Sequence, residues 1–231
     1  MNSAPNLINE GKYANIKGSD FRVMSLVGIA HFFSHFYIYL LPPLFPFLKT
    51  ALNVSYTELG LLMAVFSGTT GLTQIPFGFL VDRFGAKFIL IAGLAVEGIA
   101  FSCMGFAPGY PFLVALMFLA GAANGVYHPA DYAILSASVS KTRMGRAFSL
   151  HTFGGYAGFA VAGPVIIFLN STIGWSLGLL TCGVAGIGTA FVLMLYSRDL
   201  KHTVQRKDNV IDQKTKTKSS ADSGIKLLLS P

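Results

Sequence analysis

The stretch GFLVDRFGAK, residues 78–87, lies between two runs of apolar sequence that are each long enough to cross a bilayer. Its glycines, its aspartate and its two cations favour a tight, cation-rich reversal between packed membrane helices. A generic basic loop needs only the cations, whereas the order of these five residues favours a specific role. The five residues are Gly78, Asp82, Arg83, Gly85 and Lys87.

The composition is typical of a membrane protein. Of the 231 residues, 53% are hydrophobic and only 12% are charged, whereas soluble domains carry about 25% charged residues. The formal net charge of +7 comes from cations between or after the apolar runs, so we expect membrane lipid and no nucleic acid as a partner. Cys103 and Cys182 lie inside apolar runs and predict buried thiols, because no cysteine spacing resembles a zinc site.

Six apolar stretches are long enough to cross a bilayer as helices. They are continuous rather than alternating, which argues against the strands of a membrane barrel. The sequence therefore predicts an all-α membrane protein. The predicted spans are 23–41, 57–80, 88–107, 112–137, 147–169 and 174–196.

This pattern divides the chain into four segments. Residues 1–22 form an N-terminal tail, and a six-helix transmembrane bundle occupies residues 23–197. Residues 198–224 are polar and charged, which predicts a flexible linker. Residues 225–231 turn apolar again, and we expect them to begin a truncated seventh helix.

Lysine and arginine predict the orientation in the membrane. With six crossings, all of the 17 Lys and Arg residues except Lys49 fall on the side that holds both chain ends. Because such cations accumulate in the cytoplasm, we expect the tail, the linker and the 78–87 turn to be cytoplasmic. The expected location is the bacterial inner membrane.

Some helix ends can also be predicted. The prolines within residues 42–46 end the first span, because proline lacks an amide proton and clashes with the preceding turn. Ser55 and Glu58 have the spacing of a capping box at the start of the second span. Pro111 suits the first turn of the fourth span.

The chain resembles the major facilitator superfamily of secondary transporters. Its 78–87 turn looks like the signature loop between helices 2 and 3 of that superfamily and departs from the usual basic pair only at Ala86. NGVYHPADYAILS at 124–136, followed by GRAF at 145–148, is similar to bacterial fosmidomycin-resistance-type exporters. The fifth span resembles the packing signature of exporter helix 5, with Gly154, Gly158, Gly163 and Pro164.

The resemblance implies the N-terminal half of a twelve-helix fold, built from two three-helix inverted repeats. A C-terminal six-helix half is then the expected partner. The five residues of the turn would form a conformational latch, in which Asp82 and Arg83 bridge to the other half in the outward-facing state. Physically, Asp82 is also placed to cap the positive N-terminus of the third span.

Polar residues on the first and fourth spans are candidates for a substrate or proton pathway, because the resemblance implies that these helices line the central cavity. Each set shares one helix face, and we expect Pro129 to interrupt the fourth span beside them. The candidates are His31 and His35 on the first span and Asn124, His128 and Asp131 on the fourth.

An aspartate at the centre of a membrane helix costs about 2.5–3.5 kcal/mol on insertion scales and needs a partner, and imidazole titrates near neutral pH. We therefore hypothesise that Asp131 with His128, facing His31 and His35, binds substrate and relays protons. Simple interhelical hydrogen bonds from the histidines are the alternative.

Three further polar residues lie in the spans. Glu97 lies mid-membrane on the third span, where a structural partner and a role in proton coupling are equally favoured. Gln74 and His151 lie near the cytoplasmic ends of their spans and are weaker candidates.

The predicted function is a secondary active transporter that is coupled to protons and exports a small amphipathic or anionic compound. We expect no enzymatic activity, no metal and no cofactor beyond the proton gradient, since the sequence has no ATP-binding glycine-lysine loop. One alternative is a non-transporting half or membrane assembly partner. The other is an intramembrane metalloenzyme, which lacks an HExxH motif and would use His31, His35, His128 and Asp131 as ligands.

Overall fold

The computed structural model describes residues 7–200, with side chains from Gly18 onward except that of Asp199. Within this range the chain contains helices and no strand. Single turns of 3-10 helix lie at Pro42–Leu44, Lys141–Arg143 and Ser197–Asp199. The α-helices are α1 Leu7–Leu40, α2 Phe45–Leu52, α3 Tyr56–Phe84, α4 Ala86–Met104, α5 Tyr110–Asn124, α6 Tyr127–Ser138 and α7 Met144–Leu195. Nearly all of the predicted linker, and the whole of residues 225–231, lie outside the described residues.

All predicted spans fall on helices. The first three lie on α1, α3 and α4, the fourth covers α5 and α6, and the last two lie on α7. Among the described residues, four stretches are long and apolar enough to cross a membrane: Gly18–Leu52, Ala86–Met104, Tyr110–Ser138 and Lys141–Leu195.

The helix α3 is not one of these four stretches, because threonines, glycines and charged end residues lower its hydropathy. Its outward face is nevertheless apolar. Leu72, Ile75 and Phe79 are 79%, 74% and 73% exposed, a surface that suits lipid or another helix.

The helix α7 consists of two segments that fold back on each other at Gly174. This residue has a φ of 83° and a ψ of 158°, which are not helical and which suit glycine. A Cβ on Gly178 would lie 3.3 Å from both Ile166 Cδ1 and Leu169 Cβ, contacts that a straight helix cannot make. The fifth and sixth predicted spans therefore lie side by side.

The first segment of α7 packs closely along α1. Gly154 lies against the carbonyl of Gly28, and Gly158 lies against the carbonyl of Phe32. The contact moves four residues forward on both helices, from Gly28 to Phe32 on α1 and from Gly154 to Gly158 on α7. The two helices therefore run parallel. Glycines at these positions let the backbones approach closely.

The helices α3 and α5 are joined by side-chain hydrogen bonds to the backbone. Thr70 Oγ1 donates to the carbonyl of Gly121 at 3.0 Å, and Thr73 Oγ1 donates to that of Ala122 at 3.3 Å. Threonine hydroxyls supply such bonds between helices where no water competes.

Several predicted helix ends are confirmed. The helix α1 ends at Leu40, before the prolines, and Pro111 lies in the first turn of α5. Ser55 and Glu58 form the capping box, in which Glu58 N donates to Ser55 Oγ at 3.2 Å and Ser55 N donates to Glu58 Oε2 at 2.7 Å. The helix α1 already begins at Leu7, so most of the segment predicted as a tail is helical.

The 78–87 turn is a reversal made by one residue. Gly85, with a φ of 92°, separates the end of α3 at Phe84 from the start of α4 at Ala86. No side chain caps the N-terminus of α4 in the described structure, so the predicted cap by Asp82 is wrong. With so short a connection, Asp82 belongs to the last turn of α3, where its side chain is exposed.

Candidate functional site

Buried polar side chains from several helices meet in two groups inside the bundle. Both groups adjoin the break between α5 and α6. The first, which we call the histidine cluster, consists of His31, His35, His128, Asp131 and His151. The second, which we call the glutamate cluster, consists of Ser34, Glu97, Asn124 and Tyr127.

The break lies between Asn124, where α5 ends, and Tyr127, where α6 begins. The predicted interruption of the fourth span is present, and it lies just before Pro129, which belongs to the first turn of α6. In a continuous helix the proline ring would clash with the carbonyl of Gly125, four residues earlier, and would leave it without a donor. The helix therefore opens at that carbonyl rather than at the proline.

Asp131 of α6 is fully buried between histidines of two other helices. Its Oδ2 atom lies 3.2 Å from His31 Nδ1 and 3.1 Å from His151 Nε2. The contact with His151 is a hydrogen bond, whereas that with His31 lacks hydrogen-bond alignment, and Oδ1 has no partner among the described residues. The Asp131 carboxylate thus joins α1, α6 and α7 through Oδ2, and its Oδ1 atom can still accept a hydrogen bond or bind a ligand.

The histidine rings lie against one another. His31 stacks on His151 with ring centroids 3.6 Å apart, and its centroid lies 4.5 Å from that of His35 and 5.2 Å from that of His128. Within the described range, the buried Nδ1 atoms of His31, His35 and His128 have no hydrogen-bond partner. An unsatisfied buried polar atom costs about 1–3 kcal/mol, so this site favours a ligand. The three histidines closest to a metal-binding arrangement are His31, His128 and His151.

The glutamate cluster is fully paired at its carboxylate. Glu97 is buried, and its two oxygens accept hydrogen bonds from Asn124 Nδ2 and the Tyr127 hydroxyl, each at 2.8 Å. Asn124 Nδ2 also lies 3.1 Å from Ser34 Oγ. The structure therefore places Asn124 with Glu97 rather than with the histidines. The cluster joins α4 to α1 and to both sides of the break, which fits a structural role.

His151 is the functional candidate that the sequence most undervalues. It is 3% exposed and contacts Asp131, although its position near a span end predicted a minor role. Gly155, one turn further along α7, is the residue in the sequence that could have indicated a closely packed face beside His151. A Cβ there would lie 3.0 Å from the rings of both His31 and His35, so this glycine marks the face that α7 turns toward α1.

The predicted latch residues lie outside both clusters. Asp82 and Arg83 are exposed, and Lys87 is half-buried. A Cβ on Gly78 would meet nothing within 4 Å, so this end of α3 is open. Gln74, a weaker candidate, is half-buried on the same helix.

The predicted packing signature lies on the first segment of α7. Gly154 and Gly158 face backbone carbonyls of α1, as described above, and a Cβ on Gly163 would make ordinary contact with Pro43 Cγ at 3.7 Å. Pro164 lies inside the helix.

An ion pair that the sequence did not predict joins Asp20 of α1 to the connection between α6 and α7. Asp20 is 3% exposed, and its Oδ2 atom accepts hydrogen bonds from Arg143 Nε at 2.8 Å and from Ser140 N at 3.0 Å. Arg143 Nη2 lies 2.7 Å from the same oxygen. The contact is charge-assisted and well paired.

Comparison with known proteins identifies the family. The family model of the Major Facilitator Superfamily matches residues 27–231. The chain belongs to the Major Facilitator Superfamily. Its fold is similar to that of a solved superfamily-type transporter, a bacterial homologue of the human lysosomal transporter Spinster in an inward-facing and unoccupied conformation. That likeness has a TM-score of 0.72 at 18% identity and covers 80% of this chain and 44% of the other.

Several curated relatives are transporters by name, whereas UhpC of Salmonella typhimurium, 27% identical over 62% of this chain and 32% of its own length, is named a membrane sensor protein. YybO of Bacillus subtilis, an uncharacterised transporter, is 25% identical over 68% of this chain and 36% of its own length. The probable sulfoacetate transporter SauU of Cupriavidus necator is 25% identical over 67% and 36%. The probable L-galactonate transporter of Escherichia coli is 25% identical over 67% and 34%. The chain thus spans about a third of the length of these relatives and is an integral membrane protein of a transporter family.

Proposed function

We propose that this chain forms the N-terminal half of a proton-coupled secondary transporter for small organic anions. The observation that carries the proposal is the buried Asp131 carboxylate, which lies within 3.2 Å of His31 and 3.1 Å of His151. A buried acid inside a membrane bundle needs a proton or a cationic partner. The surrounding imidazoles can supply either.

The wider architecture of the proposal is six crossings arranged as two inverted repeats, with both ends in the cytoplasm of a bacterial cell. A C-terminal six-helix half would complete the transporter. The open surface around Asp82, Arg83 and Gly78 is where that half would engage the latch.

The names of the relatives support an organic anion as substrate. SauU is named for sulfoacetate and the Escherichia coli relative for L-galactonate. Another Escherichia coli relative, GudP, 28% identical over 58% of this chain, is named for galactarate and D-glucarate. All of these compounds carry an acidic group, which a protonated imidazole binds through a charge-assisted hydrogen bond.

The geometry suggests how proton and substrate are linked. With Asp131 ionised, a proton on His31 or His151 is held by its carboxylate. When Asp131 itself takes up a proton, it no longer competes for that one imidazolium group, which can then bind the carboxylate of a substrate. Because the groups belong to α1, α6 and α7, the state of protonation affects how three helices pack.

The direction that we propose is efflux by proton antiport, which the glycine-proline pattern of the fifth span favours. A second candidate is uptake by symport. It is favoured by the shared site of Asp131 and the histidines, since an anion that needs protonated groups travels most readily together with the proton.

We expect Asp131→Asn to abolish proton movement that depends on substrate, because an amide cannot take up the proton. Sulfoacetate, L-galactonate or D-glucarate is added outside right-side-out vesicles that contain the full-length protein, and the external pH is recorded. Antiport acidifies the medium and symport makes it more alkaline. Glu58→Gln is the matched control, because it changes a carboxylate to an amide in the capping box. Unchanged proton movement in Asp131→Asn would refute the proposal.

A further inference from the structure

Three histidines from three helices converge beside Asp131. His31 of α1, His128 of α6 and His151 of α7 each offer one ring nitrogen, and these atoms all lie within 4.8 Å of one another. His31 and His151 are 2% and 3% exposed, and His128 is half-buried. The nitrogens therefore border one space inside the protein.

We propose that these three histidines form a binding site for a divalent transition-metal ion such as Zn²⁺. Imidazole is a preferred ligand of zinc, copper and nickel, and three histidines with one open position form a recurrent zinc arrangement. Tetrahedral ligands about 2.1 Å from zinc lie about 3.4 Å apart. The three nitrogens, which lie within 4.8 Å of one another, therefore need to approach by about 1.4 Å or less to reach that spacing.

The unpaired atoms of the site point to a ligand independently of the spacing. His31 Nδ1, His128 Nδ1 and Asp131 Oδ1 are buried, and none has a hydrogen-bond partner in the described part of the chain. His31 Nδ1 lies 3.2 Å from Asp131 Oδ2 but lacks hydrogen-bond alignment with it, and His128 Nδ1 has no hydrogen-bond partner among the described residues. A metal ion supplies a partner to all three rings at once.

Asp131 has the position of a carboxylate that orients metal ligands. Its Oδ2 atom is hydrogen-bonded to His151 Nε2 at 3.1 Å, which leaves Nδ1 of that ring for a metal, whereas His31 Nδ1 stays unpaired. Carboxylates in this position fix the tautomer and the direction of a ligating imidazole, and their loss weakens metal affinity about 10- to 100-fold. Asp131 would thus orient metal ligands, a role that is independent of the proton transfer proposed for it in transport.

His35 provides the contrast within the cluster. Its ring lies next to that of His31, but it packs on Phe159 with centroids 4.2 Å apart and does not belong to the converging set. His35 is therefore the matched control for the three proposed ligands.

The test is zinc binding by the intact protein, purified without a polyhistidine tag and stripped with a chelator. All variants carry His202→Gln, which removes a histidine outside the described residues. The unsubstituted protein should bind one Zn²⁺ per chain with high affinity. In His128→Gln we expect the affinity for that ion to fall at least about 100-fold, because loss of an orienting group alone lowers metal affinity about 10- to 100-fold. His35→Gln retains the affinity, and Asp131→Asn lowers it about 10- to 100-fold.

Two results with the variants overturn the proposal. One is equal zinc affinity in His128→Gln and the unsubstituted protein, and the other is an equal loss in His35→Gln and His128→Gln. A titration of the unsubstituted protein with Co²⁺ makes the test independent of whether a variant folds. Tetrahedral nitrogen coordination produces intense visible absorption, and its absence also overturns the site. The readout is metal binding, so failure here leaves the proposed transport untouched, and failure of transport leaves the metal site untouched.

Discussion

Gly158 is one of the glycines that allow α7 to approach α1 closely. Gly158 faces the carbonyl of Phe32, whereas Gly188, on the second segment of the same helix, faces open space. We expect Gly158→Ala to lower the free energy of unfolding by about 1–3 kcal/mol, because the added methyl group forces the backbones apart. Thermal unfolding of the purified protein measures this.

Gly188→Ala is the control for that substitution. Alanine has the higher helix propensity by about 1 kcal/mol, so this variant should unfold at the same temperature as the parent protein or higher. Equal unfolding temperatures for the two alanine variants would show that the close approach does not limit stability.

The sequence could predict part of the candidate site at this scale. Helical spacing correctly places His128 and Asp131 on one face, because they lie on the same unbroken helix. It fails for Asn124, since the break rotates the residues before it, and it underrates His151. Spacing along one helix carries no information about which other helix lies opposite, so His151 could be assigned only once α7 was seen beside α1.

At the scale of helices and their connections, the pair of Asp20 and Arg143 holds α1 against the α6–α7 connection. We expect Asp20→Ala and Arg143→Ala each to destabilise the protein, and the double variant to lose less than the sum. The coupling should be about 1.5–3 kcal/mol, the range for hydrogen bonds to charged groups. A double-mutant cycle of unfolding free energies measures it.

Arg146→Ala is the control for this cycle, because Arg146 lies in the first turn of α7, next to the connection, and is exposed. Additive losses in Asp20→Ala and Arg143→Ala would show that the ion pair contributes nothing beyond its two separate side chains.

The helices themselves were largely predictable, and their irregularities were less so. Long apolar runs must form helices in lipid because the backbone has no other partner. The short helix α2 after the prolines was missed, since a proline that ends one helix is also well suited to begin the next. The break caused by Pro129 was predicted, but its position at residues 125–126 was not, because the clash acts on a carbonyl four residues before the proline.

For the whole molecule, the distribution of cations predicts the orientation. Lys49 and Lys141 are both exposed and lie at opposite ends of the bundle in the six-crossing arrangement. In a background without native cysteines, we expect Lys49→Cys to react with a membrane-impermeant maleimide added to intact cells. Lys141→Cys should react only after the membrane is opened.

The two variants control each other, because both replace an exposed lysine by cysteine. Labelling of Lys141→Cys in intact cells would reverse the proposed orientation, and labelling of both would exclude six crossings.

Membership of the superfamily follows from features that the sequence shows directly: the 78–87 turn, the apolar runs and the glycines of the fifth span. Substrate and direction do not follow from them, because one fold serves many transport functions. Those properties depend on side chains that meet across helices, and a third of a relative's length contains only some of them.

The reversal at Gly174 also bears on how the protein enters the membrane during synthesis. With one residue between its two segments, α7 has no hydrophilic loop that could be translocated first and wait outside for the second segment. We therefore expect the two segments to enter the bilayer together, as one helical hairpin whose turn carries the polar residues Asn170, Ser171 and Thr172.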